Sequence, residues 1–485
     1  MLLDLLLSLL LSSPLIDAVK QGNAAAVREL LQQRTDVNAS EGDGATALHW
    51  AAYGDDGELV TLLIASGAKV NVINDLAITP LHLASANGNA AIVAALLAKG
   101  AMPNVASGTG VTPLMEAARS GNVATVRALL ARGADVNAME GGRDQTALMW
   151  AVSRKHAEVV AVLLEHKADV QLRTRVRPLT VMLDQGPRRT VKTAKQDARP
   201  IDAGGSSALL FAAQVGDAAS ARRLIAAGAN VNETSADGNS ALVVAAFSGH
   251  TDVAIALLEA GANPNLAGGG YSALHVGVLR GDVATVKALL AKGANPNVPI
   301  TKGSPVRRFG SQWALPSPMI GATPIMVAAT YLEIDILHAL LAAGADHTLA
   351  LAASGTTPFL AAAGVAVEKE ARPSDLVRWN VVDNDTPVIP RAEADVLAAV
   401  RRLLEAGANV NQTNGAGDTA LHGAAAAGHT TVIQLLAEKG AILNVKNKAG
   451  QTPLALTIPR QQPGRAPVGG SKAAEELLRK LGATQ

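Results

Sequence analysis

The histidines carry the most versatile chemistry in this chain, because an imidazole can transfer protons or bind a metal ion. A helical metal site would need two of them around a carboxylate, as in H-E-x-x-H, and the sequence has no such spacing. The ten histidines instead recur in three positions: the end of a Thr/Ser-x-Leu-His segment (His49, His82, His275, His422), the turn before a helix (His156, His250, His429), and a helix or its end (His166, His338, His347). We therefore predict structural imidazoles, the first four bridging neighbouring loops, with neither a metal ion nor a cofactor.

A basic segment is the second candidate for chemistry. Residues 172–200 hold eight basic side chains against two acidic ones, whereas the whole chain balances 42 basic with 41 acidic residues. The basic side chains are Arg173, Arg175, Arg177, Arg188, Arg189, Lys192, Lys195 and Arg199. Such a loop can bind an acidic protein or a phosphate-bearing polymer, or it can simply be solvated. It has no aromatic residue for base stacking, and the balanced total charge disfavours a nucleic-acid-binding protein.

Other catalytic motifs are absent from the sequence. Gly268, Gly269 and Gly270 lie between two helical segments rather than between a strand and a helix, so they do not predict a nucleotide-binding loop. The chain has no cysteine, which excludes disulfides and thiolate zinc sites. We therefore predict that the protein is not an enzyme and has no small-molecule substrate.

The sequence segments that position these residues recur along the chain at a regular spacing. Thr46, Thr79 and Thr112, for example, are each 33 residues apart. A Thr or Ser that can cap a helix start recurs as Thr46, Thr79, Thr112, Thr146, Ser207, Ser240, Ser272, Thr323, Thr357, Thr419 and Thr452. A glycine expected to end the second helix in a left-handed conformation recurs as Gly67, Gly100, Gly133, Gly228, Gly261, Gly293, Gly344, Gly407 and Gly440. An asparagine ends the unit at Asn38, Asn71, Asn104, Asn137, Asn232, Asn265, Asn297, Asn411 and Asn444, with Gln171 and Thr348 in the two deviant units.

The segment Thr79-Pro80-Leu81-His82, followed by Leu-Leu-x-x-x-Gly-Ala and a terminal Val-Asn, resembles the ankyrin repeat. The resemblance recurs in register over residues 14–483, and the Ala-rich composition is most similar to bacterial members of that family. It implies an all-α repeat solenoid of about 12 units, each a helix–turn–helix pair joined to the next by a β-hairpin finger. It also implies that the chain binds a partner protein through a concave face and the fingers.

By the same resemblance, partners contact the finger tips and the exposed ends of the first helices. Aromatic and arginine residues dominate interface hot spots. The aromatic and arginine residues predicted to contact a partner are Tyr53, Arg119, Arg154, Phe247, Arg280 and Tyr331 at the ends of first helices, and Tyr271 in a finger. Trp50, Trp150 and Phe211 share one position of the first helix, where packing between repeats and partner binding are both open.

Breaks in the period predict the domain organisation. The segments are a hydrophobic N-terminal segment (1–13), repeats (14–171), a basic finger insertion (172–203), repeats (204–297), a second finger insertion (298–320), repeats with an insertion inside one helix pair at 364–393 (321–411), and C-terminal repeats with a cap (412–485). We expect the two finger insertions to project from one edge, roughly 30 Å apart. Each insertion either contacts the partner or is a solvated spacer.

The N-terminal segment is leucine-rich between Leu5 and Leu11. That length suits the apolar part of an export signal but is short of the ~20 residues that span a bilayer. No basic residue precedes Lys20, so an export signal and a hydrophobic cap on the first repeat both stay open. We expect a monomer without a transmembrane span, exported or periplasmic rather than cytoplasmic. The alternative functions are an accessory or stabilising factor for a periplasmic or envelope enzyme and, third, polyanion binding through the basic segment.

Overall fold

The structure, a computed structural model, describes residues 13–183, 198–302, 305–306, 319–365, 391–458, 460–462, 465–468 and 470–484. Contacts divide the chain into two units. Unit 1 is Met1–Arg177 with Gly204–Ala236, and unit 2 is Pro178–Ala203 with Asp237–Gln485. Within the described residues, 24 helices form twelve consecutive pairs, six in each unit.

The pairs of unit 1 are α1 (Pro14–Lys20) and α2 (Ala24–Gln32), α3 (Ala47–Tyr53) and α4 (Gly57–Ala65), α5 (Pro80–Asn87) and α6 (Ala90–Ala98), α7 (Pro113–Ser120) and α8 (Val123–Leu130), α9 (Ala147–Ser153) and α10 (Ala157–Glu165), and α11 (Ala208–Val215) and α12 (Ala218–Ala226). The pairs of unit 2 are α13 (Ala241–Ser248) and α14 (Thr251–Glu259), α15 (Ala273–Leu279) and α16 (Val283–Ala291), α17 (Pro324–Tyr331) and α18 (Ile334–Ala342), α19 (Pro358–Ala362) and α20 (Glu393–Glu405), α21 (Ala420–Ala427) and α22 (Thr430–Glu438), and α23 (Pro453–Leu456) and α24 (Lys472–Lys480).

The predicted helix boundaries are confirmed. All eleven predicted Thr and Ser residues occupy the cap position before a first helix. Thr79 shows the cause, since its Oγ1 accepts the backbone N–H of His82 at 3.3 Å, a donor that the helix itself leaves unused. The nine predicted glycines after the second helices all have φ between +79° and +100°, a conformation that a side chain disfavours.

The core lies between and within the helix pairs. In the α3–α4 pair, for example, Leu48, Ala51, Ala52, Val60 and Leu63 are all fully buried. Burying a leucine or valine side chain contributes about 1.5–3 kcal/mol, and small alanines allow neighbouring helices to approach closely. Within each unit, each pair buries its apolar face against its neighbours, so the core grows along the repeats instead of around one centre.

The unit-ending asparagines join consecutive pairs. Asn71, which follows α4, donates from Nδ2 to the carbonyl oxygen of Gly100 after α6 (2.9 Å) and accepts the N–H of Met102 at Oδ1 (2.8 Å). The same two bonds are made by Asn38, Asn104, Asn137, Asn265, Asn297 and Asn411. The position therefore needs a donor and an acceptor on one short side chain, which an amide supplies and an ionised carboxylate does not.

The fingers are linked by backbone hydrogen bonds. In unit 1 the N–H of Asp75 donates to the carbonyl of Asp43 (2.9 Å), and the N–H of Gly108 donates to that of Leu76 (2.8 Å). In unit 2 the N–H of Thr301 donates in the same way to Gly270 (2.8 Å). Neighbouring fingers are therefore joined to one another through their backbones.

One expectation about the finger insertions is wrong. Strands β1 (Arg177–Leu183) and β2 (Ala198–Ala203) of the first insertion and β3 (Pro305–Val306) of the second form one sheet in the order β2-β1-β3. The antiparallel β1–β3 register pairs Met182 with Val306 and Leu183 with Pro305. The insertions thus meet instead of standing roughly 30 Å apart, because a seven-residue strand spans about 23 Å by itself.

A second small sheet lies near the C-terminus, where β4 (Arg460–Gln462) pairs antiparallel with β5 (Arg465–Val468). The leucine-rich segment 1–12 and the insertion residues 184–197, 307–318 and 366–390 lie outside the described residues. The predicted domain limits stay predictions. Among the described residues, no helix combines the length and apolarity that crossing a bilayer requires.

Candidate functional site

A row of side chains lies on one face of the first helices of unit 1. Each is the fourth residue after its helix cap, and the row consists of Trp50, Leu83, Glu116, Trp150 and Phe211. The helices that carry them, from α3 to α11, pack one against the next. All five side chains are half-buried, whereas the positions on either side of each are buried. This first-helix row therefore offers large, mainly apolar side chains to solvent from a rigid layer.

Trp50 is the centre of a cluster at one end of the row. Its Nε1 donates to Glu41 Oε2 in the adjoining finger (2.7 Å), and Lys20 Nζ lies 4.2 Å above the indole. Lys20 also pairs with Glu41 Oε1 at 2.5 Å. Tyr53 meets Trp50 edge-on, with ring centroids 5.8 Å apart, and is 63% exposed. The contacts fix the orientation of Trp50 and leave Tyr53 as the exposed aromatic.

Four other predicted contact residues also lie at helix ends. Arg119 in α7 is exposed and pairs with Glu116 of the row, Nε to Oε2 at 2.8 Å. Arg154 is exposed at the end of α9. Phe247 in α13 and Tyr331 in α17 are half-buried in unit 2. Tyr53, Arg119 and Arg154 thus come shortly after Trp50, Glu116 and Trp150 of the first-helix row in the sequence of unit 1.

Two of the predicted contact residues make contacts within the fold. Tyr271 is only 5% exposed, and burial, with Asp237 adding to it, raises the pKa of its phenol to about 12. Tyr271 therefore offers little surface to a partner, and its role as a partner contact stays a prediction. Arg280 is half-buried and donates from Nη1 to the carbonyl of Phe247 (3.0 Å), a bond between two helix pairs of unit 2. Burial lowers the pKa of that guanidinium.

The basic segment is less available than its composition indicates. Arg173 is paired with Glu233, Nη2 to Oε2 at 3.0 Å, and Arg175 forms a two-bond pair with Asp144 at 2.6 and 3.1 Å. Two members of the basic segment therefore neutralise carboxylates of adjoining fingers. Arg177 is exposed. Arg199 lies in β2, and Arg188, Arg189, Lys192 and Lys195 lie outside the described residues.

A family model described as "Ankyrin repeats (3 copies)" matches residues 5–74, 53–140, 81–174, 179–268, 209–300 and 391–464. The chain belongs to the ankyrin repeat family. This confirms the predicted family and the all-α repeat fold. Ankyrin repeats form a protein–protein interaction domain, and the family is typically non-enzymatic.

Curated relatives share only a short stretch with this ankyrin protein. Osteoclast-stimulating factor 1 of Xenopus laevis is 38% identical over 55 residues, which is 11% of this chain and 26% of that protein. The proteins of the same name from Sus scrofa and Mus musculus are each 41% identical over 53 residues, covering 11% of this chain and 25% of theirs. The chain thus spans about a quarter of the relatives it matches.

The histidine bridges predicted for the ankyrin loops are present at three of four positions. His49 Nδ1 accepts the N–H of Thr46 (3.1 Å), and its Nε2 lies 3.0 Å from the carbonyl oxygen of Ile78 in the next finger. His82 and His422 make the same bonds, to Val111 and Gln451 at 3.1 Å. Burial lowers the pKa of all three imidazoles, against the opposing pull of these backbone bonds. They are structural. At the fourth, His275, Nδ1 accepts the N–H of Ser272 (3.2 Å), and the backbone at Ala322 again opposes the lowering of the pKa by burial.

In one ankyrin repeat, a carboxylate that was not predicted from the sequence takes the place of the histidine bridge. The α11 cap, Ser207, is followed at the histidine position by Leu210, and its hydroxyl donates to Glu233 of the next finger. The Glu233 side chain is 1% exposed and also binds Arg173. Burial raises the pKa of Glu233, while Ser207 and Arg173 oppose that change. The sequence did not reveal this bridge, because the cap at Thr112 is likewise followed by Met115 and by Glu140 in the next finger, yet Glu140 binds the N–H groups of its own finger.

Trp150 occupies the same helix position as Trp50, but its indole makes different contacts. Its Nε1 is buried without a hydrogen-bond partner in the structure described for this chain. Glu140, in the finger preceding α9, is the counterpart of Glu41, but its carboxylate accepts the backbone N–H groups of Gly142 and Arg143 at 2.6 and 2.7 Å. The longer finger before α9 therefore uses the Glu140 carboxylate for its own backbone. Trp150 lacks the acceptor that Glu41 provides for Trp50.

Nothing in the described ranges gathers three or more histidine or carboxylate side chains into a possible metal site. What the first-helix row and its neighbours can do chemically is bind: fixed aromatic faces, an exposed phenol and exposed guanidinium groups suit contact with another protein.

Proposed function

We propose that this ankyrin protein is a non-enzymatic interaction scaffold that binds a partner protein through the first-helix row of unit 1 and the fingers beside it. The observation that carries the proposal is the Trp50–Tyr53 cluster. An exposed aromatic residue that is held by fixed neighbours loses little conformational entropy on binding, which is the property of a hot-spot residue.

The remainder of the row supports the same surface. Trp150 and Phe211 add apolar area on neighbouring helices, and Arg119 and Arg154 place guanidinium groups along its rim. Tyrosine, tryptophan and arginine are enriched in interface cores, whereas lysine and glutamate are depleted. A folded protein or an extended peptide lying across these helices would bury this set together.

A polyanion is the weaker candidate. Arg173 and Arg175 are already paired with Glu233 and Asp144, so their charges are partly neutralised before any ligand binds. Binding of nucleic acid draws its affinity from unpaired cations that replace released counterions. The proposal therefore assigns recognition to the row and not to the basic segment.

The test is capture of partners from the native host with the full chain as bait. The variant Tyr53→Ala/Arg119→Ala should lose a stoichiometric partner that the wild-type chain retains. Ile442→Ala is the matched control, because Ile442 is similarly exposed (56%) but lies far along the sequence in unit 2. Retention of every partner by the double variant would contradict the assignment of the surface.

A further inference from the structure

The two ends of the first-helix row in unit 1 carry opposite charge. Each first helix begins beside a finger and ends at a turn, so the row runs between the fingers on one side and the helix ends on the other. Charged side chains on these two borders can therefore meet a ligand that lies along the row, as the polar rim of an interface does.

The border at the Trp50 end is acidic. Its exposed carboxylates are those of Asp43 in the finger before α3, Asp75 in the finger before α5, and Asp55 in the turn after α3. Among the described residues none of these three forms an ion pair. The cation nearest to the indole, Lys20, is already paired with Glu41. The Trp50 end therefore offers uncompensated negative charge from both borders.

The border at the Trp150 end is basic. Its exposed cations are Arg143 in the finger before α9, Arg154 and Lys155 after α9, and Arg177 in the segment before α11. None of these four forms an ion pair within the part of the chain that the structure describes. The nearby carboxylates are already engaged: Glu116 pairs with Arg119, Glu140 binds N–H groups of its own finger, and Asp144 pairs with Arg175.

The part of the row between these ends is neutral. Helix α5, the turn after it and residues 101–112 before α7 have no charged side chain, and α7 has only the paired Glu116 and Arg119. Three helix steps separate α3 from α9, about 30 Å at roughly 10 Å a step. Charges are screened over about 8 Å at physiological salt, so the two ends act on a ligand separately instead of cancelling.

We propose that the first-helix row binds an extended segment of the partner protein that is basic at one end, apolar in the middle and acidic at the other end. Its basic end lies beside Trp50 and its acidic end beside Trp150. An extended chain advances about 3.3 Å per residue, so about nine residues reach from one end to the other. Because like charges brought together are penalised, the two borders also fix the direction of the segment. This inference rests on the proposed function and names the chemistry of the segment that the row binds.

Fluorescence anisotropy with the full chain and labelled synthetic peptides tests the proposal. Four peptides share one apolar centre: the first has three lysines before it and three glutamates after it, the second has the reverse order, the third has lysines at both ends and the fourth has glutamates at both ends. At least one of the two bipolar peptides should bind about tenfold tighter than both uniform peptides. The difference should shrink when the salt concentration rises to about 300 mM.

Neutralising one end of the row should change the preference in a direction that its charge dictates. The variant Asp43→Asn/Asp55→Asn/Asp75→Asn keeps the oxygen atoms that accept Ala45 N–H (2.9 Å) and Asn89 Nδ2 (2.8 Å). It should bind the bipolar peptide about tenfold more weakly and bind the all-glutamate peptide tighter than the all-lysine peptide. The variant Arg143→Gln/Arg154→Gln/Arg177→Gln should weaken the bipolar peptide equally and bind the all-lysine peptide tighter.

The matched controls neutralise exposed charges on or directly after the second helices of unit 2, and they are Asp252→Asn/Glu259→Gln/Asp335→Asn and Lys287→Gln/Lys292→Gln/Lys439→Gln. They should leave each Kd within about twofold. Three results would overturn the proposal: bipolar peptides that bind no tighter than uniform ones, no binding of any of the four, or end variants that weaken all four alike. If one of these occurs while Tyr53→Ala/Arg119→Ala still loses the captured partner, the proposed function stands and the charge pattern of the segment is wrong.

Discussion

Asn71 holds the backbone of the following repeat, because its Nδ2 donates to the carbonyl oxygen of Gly100 at 2.9 Å. With the second bond, from Met102 N–H, one side chain couples two helix pairs. We predict that Asn71→Ala lowers the free energy of unfolding by about 1–2 kcal/mol, measured by urea titration. Asn444→Ala is the control, since Asn444 bonds Thr484 next to the terminal pair and its loss should cost less. Equal losses would show that the bridges do not couple consecutive pairs.

The buried histidines predict acid sensitivity. Their pKa values are lowered at His49, His82 and His422, so the unfolded chain binds more protons than the folded chain just below pH 6.5. The stability they contribute is present above pH 6.5 and is lost as the pH falls through their lowered pKa values. We expect the urea midpoint to fall between pH 7 and pH 5, and the fall to be smaller in His49→Met/His82→Met. An equal fall of the urea midpoint in the wild-type chain and in the double variant would contradict the conclusion that these histidines cause the acid sensitivity.

Glu233 is predicted to stabilise unit 1 as the substitute for a histidine bridge. Glu233→Ala leaves the Ser207 hydroxyl and the Arg173 guanidinium without their shared acceptor, and we expect a loss of about 2 kcal/mol. Glu233→Gln keeps an acceptor for Ser207 and should lose less. The control is Asp144→Asn, which breaks the exposed pair with Arg175 and should change stability by under about 0.5 kcal/mol. Thermal or urea unfolding would measure all three, and a loss for Asp144→Asn equal to that for Glu233→Ala would refute the bridge.

The contact between the two finger insertions can be tested by a cross-link, since the chain has no cysteine of its own. Met182 and Val306 are directly paired in the β1–β3 register. Opposite residues of antiparallel strands have Cα atoms about 4.5–5.5 Å apart, within the range of a disulfide. Met182→Cys/Val306→Cys should therefore form an intramolecular disulfide under mild oxidation, detected by mass spectrometry. Thr180→Cys/Val306→Cys, offset by two residues, should react far more slowly, and equal rates would contradict the register.

Much of the fold could be predicted from the sequence because its local signals repeat. A capping Thr or Ser and a left-handed glycine act within one turn of backbone, so Thr79 and Gly67 identify a helix start and a helix end without knowledge of the tertiary structure. The asparagine positions were equally visible. Their role was not, because the acceptor of Asn71 lies in the next repeat.

The site was less predictable, since burial and pairing depend on neighbours. Tyr271 was predicted as an exposed finger residue but is buried by the fold around its finger. The ion pair of Arg173 was not predicted, because its partner Glu233 is far away in sequence. Tyr53 is exposed at the end of its first helix, whereas Phe247 at the same position of α13 is half-buried, so the repeat position alone does not fix exposure. The β1–β3 pairing had no sequence signal, because the register of two insertions depends on their meeting in space.

The central claim is that recognition uses the first-helix row of unit 1, and the most direct test is the affinity for a captured partner. With that partner purified, titration calorimetry should show the Kd rising at least about tenfold for Tyr53→Ala, as for a hot-spot residue. Ile442→Ala should leave the Kd within about twofold. An unchanged Kd for Tyr53→Ala, or an equal loss for Ile442→Ala, would contradict the claim.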